Sequence, residues 1–289
     1  MQGGINLCVD EKIKMADKLI NKLIFEARNF VWYATFQYGT HDYLLAGEKS
    51  VKFAYDFEYF TFTKSTKSLL SIRALFKENR NEDVLILLRS IFENYLACRY
   101  FNENDEMIDN FIFIPIGLAN RLYYFDSEGK ITDREKNEVD GKIVEPKEFR
   151  IGKDKDYYYD FYEYLCRYAH CNYGIINDYL DDKHSYTTDR NNNPLLTRLF
   201  VIFVFTRLFE HVVTVEGEKF LNDRTEKKCY ELVKDSLLFQ NEIFTALIEV
   251  YSKPVENENA RHKKKWMREM LKKMKKALSE EVGSLRKDF

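Results

Sequence analysis

The sequence predicts an all-α protein: a multi-helix bundle with a basic helix appended at its C-terminus. Only 11 Gly and 4 Pro interrupt 289 residues, whereas an average chain of this length has roughly 35. Sandwiches, barrels and α/β folds need many turns, so this scarcity disfavours them. In addition, 45% of the residues are apolar, with 23 Phe and 20 Tyr among the aromatic ones. This composition excludes low-complexity disorder.

The first two helices follow from apolar residues at three- and four-residue spacing. Residues 10–38 show this spacing and run without Gly or Pro up to Gly39, which is a natural helix stop. Residues 48–79 are expected to form the second helix. Their aromatic stretch 55–62 alternates like a strand, but no hairpin turn lies nearby.

The remaining helices of the body follow in the same way. Asn81 is expected to cap a third helix that extends to residue 102, and a fourth helix, 104–124, should be kinked near Pro115. Residues 126–153 contain Gly, Pro and many charges, which indicates a surface excursion. Three further helices are expected at residues 154–180, 194–221 and 225–252. Residues 1–258 are therefore predicted to form one all-α domain of about seven helices.

Residues 259–289 are expected to form a separate unit, a basic amphipathic helix. Residues 261–276 contain nine Lys or Arg against one Glu, while the rest of the chain is acidic. The apolar stripe, at helical spacing, is Trp266, Met267, Met270, Leu271, Met274 and Leu278. Three roles stay open: docking on the body, binding nucleic acid or an acidic partner, and lying in a membrane interface. The candidate nucleic-acid-binding residues are Lys263, Lys264, Lys265, Arg268, Lys272 and Lys273.

The sequence predicts a cytoplasmic protein with no integral membrane association. The N-terminus lacks the features of a signal peptide. The longest apolar runs, 111–119 and 199–205, fall short of the roughly 18 to 20 residues that span a bilayer. Five cysteines without CxxC spacing indicate reduced thiols rather than a disulfide framework.

Several catalytic classes have no motif in the sequence. The dinucleotide, P-loop and GxSxG hydrolase motifs are missing. His41, His184, His211 and His262 lack metal-ligand spacing, and Glu210 beside His211 cannot build a zinc site alone. Neither a metal nor a cofactor is therefore expected. Cys166 and Cys171 flank His170 without a third orienting group, so a thiol nucleophile has little support.

Arg89 and Glu93 are the polar pair in the otherwise apolar third helix. They lie about 40° apart on a helical wheel and are flanked by Leu, Ile and Ala, so we predict that the pair is buried. In the structural interpretation, Arg89 ties helices together by bonding carbonyl groups. In the functional interpretation, Arg89 is an anchored cation in a cleft, positioned by Glu93.

A second candidate site lies in the helix predicted at residues 154–180. The expected core line is Tyr162, Cys166, Ala169 and Tyr173, and the parallel polar line is Glu163, Arg167 and His170. A histidine at the edge of a core can act as a general acid or base near neutral pH, and an adjacent Arg can stabilise developing negative charge. The structural alternative is a packed histidine that bonds a neighbouring helix.

Two segments resemble elements of a large bacterial family of helical proteins of unknown function. Residues 88–93, LRSIFE, are similar to its R-S-[LI]-[LF]-E signature. Residues 164–170, YLCRYAH, are similar to its Y-x-x-L-S-x-x-x-H element, with Cys166 where Ser is usual. The resemblance spans roughly residues 45–215.

That family is similar to the HEPN helical domains, many of which are metal-independent ribonucleases of toxin and phage-defence systems. The HEPN motif has four to six residues between Arg and His, whereas Arg167 and His170 have two, and Arg89 lies on another helix. The resemblance implies an RNA-cleaving antiviral defence effector in which His170 is the general acid or base. Arg167 and Arg89 would bind the scissile phosphate, and Glu93 would orient Arg89.

The resemblance also implies a homodimer, RNA as a partner, and a partner protein encoded in a defence operon. The alternative is a non-enzymatic helical scaffold that binds a partner protein or nucleic acid through its basic C-terminal helix.

Overall fold

The computed structural model describes residues 2–37, 53–104, 107–139, 145–215, 223–255 and 258–285. Eight α-helices make up most of these residues: α1 (Gln2–Gln37), α2 (Phe53–Lys77), α3 (Asn81–Glu103), α4 (Ile108–Ala119), α5 (Asp154–Ala169), α6 (Pro194–Phe209), α7 (Asp223–Ser252) and α8 (Glu258–Leu285). Strand in the described ranges is confined to one antiparallel hairpin, β1 (Tyr123–Phe125) with β2 (Ile131–Asp133). The all-α prediction is confirmed.

Helix α6 is the centre of the bundle. Its residues from Leu195 to Phe209 are all buried, and it packs against α1, α3 and α7. A helix that is apolar on every side is stable only in the interior of a protein. Its Arg198 is tolerated there because the guanidinium pairs with Asp17 of α1, with Nε 2.7 Å from Oδ1. A π-helical segment, Glu210–Val215, continues α6.

A buried polar network joins α3 to α5. Asp154, the first residue of α5, is 1% exposed. Its carboxylate accepts hydrogen bonds from Arg99 at 2.7 Å and from the Tyr157 hydroxyl at 2.7 Å. Arg99 also donates to Tyr95 at 3.0 Å. These bonds fix the two helices against each other, and the candidate site lies between the same two helices.

The C-terminal helix α8 docks on the body. Its apolar stripe is buried against α5 and α7, with Met267, Met270, Leu271, Met274, Ala277 and Leu278 all in the core. On its basic face, Lys273 lies 2.6 Å from Asp160 and Lys276 lies 3.7 Å from Asp156, both on α5. Docking, one of the three roles left open by the sequence, is therefore the observed one. No helix in the described ranges has the length and apolar character of a membrane span.

Two predicted helix ends in the middle of the chain are wrong. The fourth helix ends at Ala119, because Arg121 takes a left-handed backbone with φ 54° and the chain turns into β1. The predicted surface excursion at residues 126–153 is mostly exposed where the structure describes it, and it contains strand β2 and a 3₁₀ helix, Pro146–Phe149. The helix predicted at 154–180 ends at Ala169, and a 3₁₀ helix, Tyr173–Tyr179, follows it.

The cap of α3 also differs from the prediction. Arg80 occupies the cap position and makes no side-chain capping bond. Asn81 is buried instead, and its amide donates to the Asn191 side chain from the loop before α6. The predicted stop at Gly39, the start at residue 48 and the end at residue 221 lie outside the described residues.

Candidate functional site

Arg89 is the hub of a polar cluster between α3 and the end of α5. Its Nε donates to Glu93 Oε1 at 2.9 Å, one turn further along α3. Its two terminal nitrogens lie 2.8 Å from the Tyr162 hydroxyl and 3.0 Å from His170 Nε2, both from α5 and its C-terminal end. We call Arg89, Glu93, Tyr162 and His170 the Arg89 cluster. Two residues predicted on separate sequence segments, Arg89 and His170, thus meet.

The contact between Arg89 and His170 defines which imidazole nitrogen is free of a proton. A guanidinium has only N–H donors, so His170 Nε2 must accept the hydrogen bond. In this arrangement Nε2 carries a lone pair and the proton resides on Nδ1. His170 is exposed, so solvent or a ligand reaches its ring, while Arg89 occupies the Nε2 lone pair in this arrangement.

Tyr162 and Glu93 hold the guanidinium in place. The Tyr162 hydroxyl donates to Glu93 Oε1 at 2.7 Å and accepts from Arg89. Burial and the hydrogen bond to Glu93 raise the pKa of Tyr162, so the hydroxyl stays protonated. Its ring stacks on Tyr158, with centroids 5.0 Å apart. Burial lowers the pKa of Arg89, but the Tyr162 bond and the Glu93 charge outweigh burial and raise it, so the cation is permanent.

The predicted burial of the Arg89–Glu93 pair is wrong. The two side chains are 23% and 30% exposed, because α5 ends at this level and leaves one side of α3 open. The pair is therefore supported by packing at its base and reaches solvent at its tip. Water and ligands have access to the charge.

The predicted core line of α5 is also wrong. Tyr173 is 77% exposed, and the apolar and aromatic residues that α5 buries are Tyr157, Tyr158, Phe161, Tyr164 and Leu165. His170 is the residue after the last helical one, with extended backbone at φ −118° and ψ 159°. Because the helix ends at Ala169, helical spacing does not predict where Tyr173 lies or how His170 is oriented.

Arg167 does not join the Arg89 cluster. Its guanidinium pairs with Glu163 at 2.5 Å and lies over the Trp266 ring of α8, 4.3 Å from the ring centroid. The Arg167 guanidinium stacks on Trp266 instead of following the predicted polar line toward His170. That line is also broken because the helix ends before His170. Arg167 thus connects α5 to the N-terminal part of α8.

Cys166 borders the cluster as a thiol. Burial raises the pKa of Cys166 by more than the neighbouring Arg89 charge lowers it. A thiol that stays protonated near neutral pH is a poor nucleophile, so the structure gives no support to Cys166 as one.

The six tail residues predicted to bind nucleic acid fall into two groups. Arg268 and Lys272 pair with Glu269, and Lys273 pairs with Asp160. Among the described residues, no acidic side chain forms an ion pair with Lys263, Lys264 or Lys265. These three precede Trp266, on which Arg167 stacks. We call Lys263, Lys264, Lys265 and Arg167 the basic strip, which joins the start of α8 to the last turn of α5.

The Arg89 cluster lies on open surface rather than in an enclosed pocket. A pocket of about 570 Å³ lies elsewhere, lined by residues of α1 and α2 that include Trp32, Thr66 and Lys67. Small-molecule sites usually bury most of the ligand. A cluster that reaches solvent, as Arg89 and His170 do, suits a polymer better than an enclosed small molecule.

A double-mutant cycle should show that Arg89 and Glu93 are coupled. We expect Arg89→Leu and Glu93→Leu together to destabilise the protein by about 1 kcal/mol less than the sum of the single changes, because either single change strands a half-buried charge. Urea unfolding of the three variants measures this coupling.

The matched control is the more exposed pair of Glu163 and Arg167, which has the same i, i+4 spacing. Its coupling should be about 0.5 kcal/mol or less. Simple additivity at Arg89 and Glu93 would show that the pair does not act as a unit.

Two features of the site were not predicted from the sequence. Tyr162 was assigned to the core line, since an aromatic residue at helical spacing usually packs inside; the hydroxyl was the available signal. The contact between the start of α8 and the end of α5 had no signal in the local sequence of either segment.

Residues 56–187 match a family described as "Family of unknown function (DUF5677)". The match includes all four residues of the Arg89 cluster and excludes α6, α7 and α8. The expected resemblance to a family of unknown function is confirmed in this coarser form. No curated protein and no solved structure matches the chain.

Proposed function

We propose that this chain is a HEPN-like endoribonuclease effector of a bacterial defence or toxin system, with catalysis that needs no metal ion. The observation that carries the proposal is the approach of the Arg89 guanidinium to within 3.0 Å of the exposed His170 Nε2. Cleavage of an RNA phosphodiester needs a proton acceptor and a cation on the phosphate. The Arg89 cluster supplies both at one surface point.

Arg89 has capacity left to bind a phosphate. A guanidinium has five N–H donors, and the described partners use one from each of its three nitrogens. The two that remain suit a phosphate oxygen pair. Glu93 and Tyr162 are positioning residues in this proposal, since they act on the substrate through Arg89.

The reaction starts with proton transfer to His170. The bound phosphate draws Arg89 away from Nε2, which then accepts the proton of the ribose 2′-hydroxyl. The 2′-oxygen forms a bond to phosphorus as the bond from phosphorus to the 5′-oxygen breaks, and the imidazolium returns its proton to that leaving oxygen. The products are a 2′,3′-cyclic phosphate and a 5′-hydroxyl. Arg89 stabilises the charge on the non-bridging oxygens.

The ends of the products test this mechanism. Full-length protein, without added divalent ions, should cut a labelled single-stranded RNA and leave 2′,3′-cyclic phosphate ends that mass spectrometry detects. An oligonucleotide with one 2′-deoxy sugar at the cleavage position should stay intact. Products with 3′-hydroxyl ends, or cleavage at the 2′-deoxy position, would rule out attack by the 2′-oxygen.

The homodimer and the defence-operon partner protein remain part of the proposal through the resemblance alone. Arg167 faces α8, so its proposed role changes from the scissile phosphate to a neighbouring phosphate of the same RNA. Light scattering of the full chain measures the oligomeric state directly.

The second candidate function is a non-enzymatic module that binds nucleic acid or an acidic protein partner through α8. The absence of described ion-pair partners for Lys263, Lys264 and Lys265 favours it, because such cations remain available to a polyanion. RNA binding to this strip is compatible with catalysis at the Arg89 cluster, so the two candidates differ in whether RNA is cut.

Charge reversal in the full-length chain measures the contribution of the strip. Replacing Lys263, Lys264 and Lys265 by Glu should lower the log–log salt slope of RNA binding by about 2, since each lost contact with single-stranded RNA removes roughly 0.7. Fluorescence titrations between 50 and 200 mM salt give this slope. Deleting α8 is a poorer test, because the deletion would expose the core that α8 covers.

The control reverses three exposed lysines elsewhere, Lys18, Lys227 and Lys228, for the same change in net charge. It should leave the slope within error of the wild-type value. Equal slopes for the wild type and the Lys263–265 variant would remove the strip from the RNA path.

A further inference from the structure

A second cluster of side chains lies in the interior, where α2, α3 and the π-helical segment after α6 meet. Glu58 of α2, Cys98 of α3 and His211 of the π-helical segment place a carboxylate oxygen, a sulfur and a ring nitrogen within 4.8 Å of one another. We propose that this trio binds one divalent transition-metal ion of the zinc class.

The first argument is the state of Glu58. Its side chain is 1% exposed, and neither carboxylate oxygen has a hydrogen-bond donor within the described structure. Buried carboxylates are almost always hydrogen-bonded, because an uncompensated buried charge is costly. A bound cation would compensate both oxygens at once.

The second argument is the geometry between Glu58 and His211. Their Oε1 and Nε2 atoms are 3.2 Å apart, yet Nε2 forms no hydrogen bond in the described structure. Two ligands of one tetrahedral ion, each about 2.0–2.1 Å from it, lie about 3.3 Å apart. The separation therefore fits two lone pairs that converge on a common ion.

The third argument is charge and ligand type. Thiolate, carboxylate and neutral imidazole are the ligands that zinc prefers, and their two negative charges neutralise a divalent ion. On binding, the S–H bond of Cys98 breaks, the sulfur–metal bond forms, and the proton leaves to solvent. The imidazole of His211, 14% exposed, is the least buried of the three ligands.

The local backbone supports a dedicated role for His211. Its position in the π-helical segment is unusual, since π-helical turns are rare and often occur at functional sites. Cys98 lies nine residues from Arg89 on α3, which is about 13 Å along the helix axis. The ion would thus join three helices and take no part in the chemistry at the Arg89 cluster.

Metal content and cobalt spectroscopy test this site. Full-length protein grown with zinc and desalted should retain about one zinc per chain. After exchange, cobalt should give an intense sulfur-to-metal absorption in the near ultraviolet together with tetrahedral visible bands. In Cys98→Ser the sulfur-to-metal band should vanish and zinc affinity should fall at least ~10-fold. The matched control is Cys229→Ser, a change of another buried cysteine, which should keep both signals.

Two results with the wild-type chain and Cys98→Ser would overturn the proposal. One is a folded wild-type chain that retains under ~0.1 zinc and shows no cobalt band, which would leave Glu58 and His211 as a simple ion pair. The other is an unchanged cobalt spectrum in Cys98→Ser. If that variant does not fold, Glu58→Gln serves instead, since it keeps the shape of the side chain. Chelator competition should then show at least a ~10-fold weaker zinc affinity, and an unchanged affinity would also overturn the site.

Discussion

Replacement of His170 by alanine is expected to slow RNA cleavage by about 10²- to 10⁴-fold, the usual contribution of a general acid or base. Stability should change by less than about 1 kcal/mol, because the side chain is exposed and lies beyond the last turn of α5. The backbone N–H of residue 170 bonds to Cys166 O, and alanine retains that bond. Cleavage kinetics with labelled RNA and urea unfolding measure the two effects separately.

The control for this variant is His184→Asn. His184 is also an exposed histidine within the matched range, and asparagine tolerates its φ of 59°. Its activity should equal that of the wild type. Undiminished cleavage by His170→Ala would exclude His170 as the proton carrier, whereas a large loss of stability would indicate a packed structural histidine.

Asp154→Ala should destabilise the protein by about 3 kcal/mol, the lower end of the cost of breaking a buried ion pair, because Asp154 is buried while Arg99 is 25% exposed. The change leaves Arg99 without its 2.7 Å partner and leaves the Tyr157 hydroxyl without its acceptor. It also removes an acidic residue from the first turn of α5, where it interacts favourably with the helix dipole. Urea unfolding gives the size of the loss.

Asp156→Ala is the matched control, two residues further along the same helix turn. Asp156 is 58% exposed and lies 3.7 Å from Lys276, so its loss should cost no more than about 1 kcal/mol. Similar losses for the two variants would show that the Asp154 network does not join α3 and α5.

The fold was predictable where long periodic segments decide it. The helices predicted at 81–102 and 225–252 have ends within two residues of the observed ends of α3 and α7. An apolar face determines both helices. The end of α4 was not predictable, since Arg121 takes a left-handed backbone that usually indicates glycine. Likewise, α5 ends at Ala169 without a Gly or Pro. Such ends depend on packing with distant elements rather than on local sequence.

The candidate site was predictable in part for the same reason. Arg89 and Glu93 stand out because spacing within one helix brings them together. The approach of His170 to Arg89 joins residues 81 positions apart, and only the resemblance suggested it. Arg167 was placed with His170 because the helix was expected to continue. The proposed metal ligands Glu58, Cys98 and His211 come from three separate segments, so spacing rules could not group them.

The complete burial of α6 has a consequence for how the protein opens. Amide protons of a helix with no solvent-facing side exchange with water only when the surrounding helices separate, so their exchange reports unfolding of the whole bundle. The amides of α8, whose basic face is already in water, can exchange when that helix alone detaches. The exchange rate of the α8 amides, relative to their unprotected rate, then gives the free energy that holds the basic strip on the body, measured in the native protein and without denaturant.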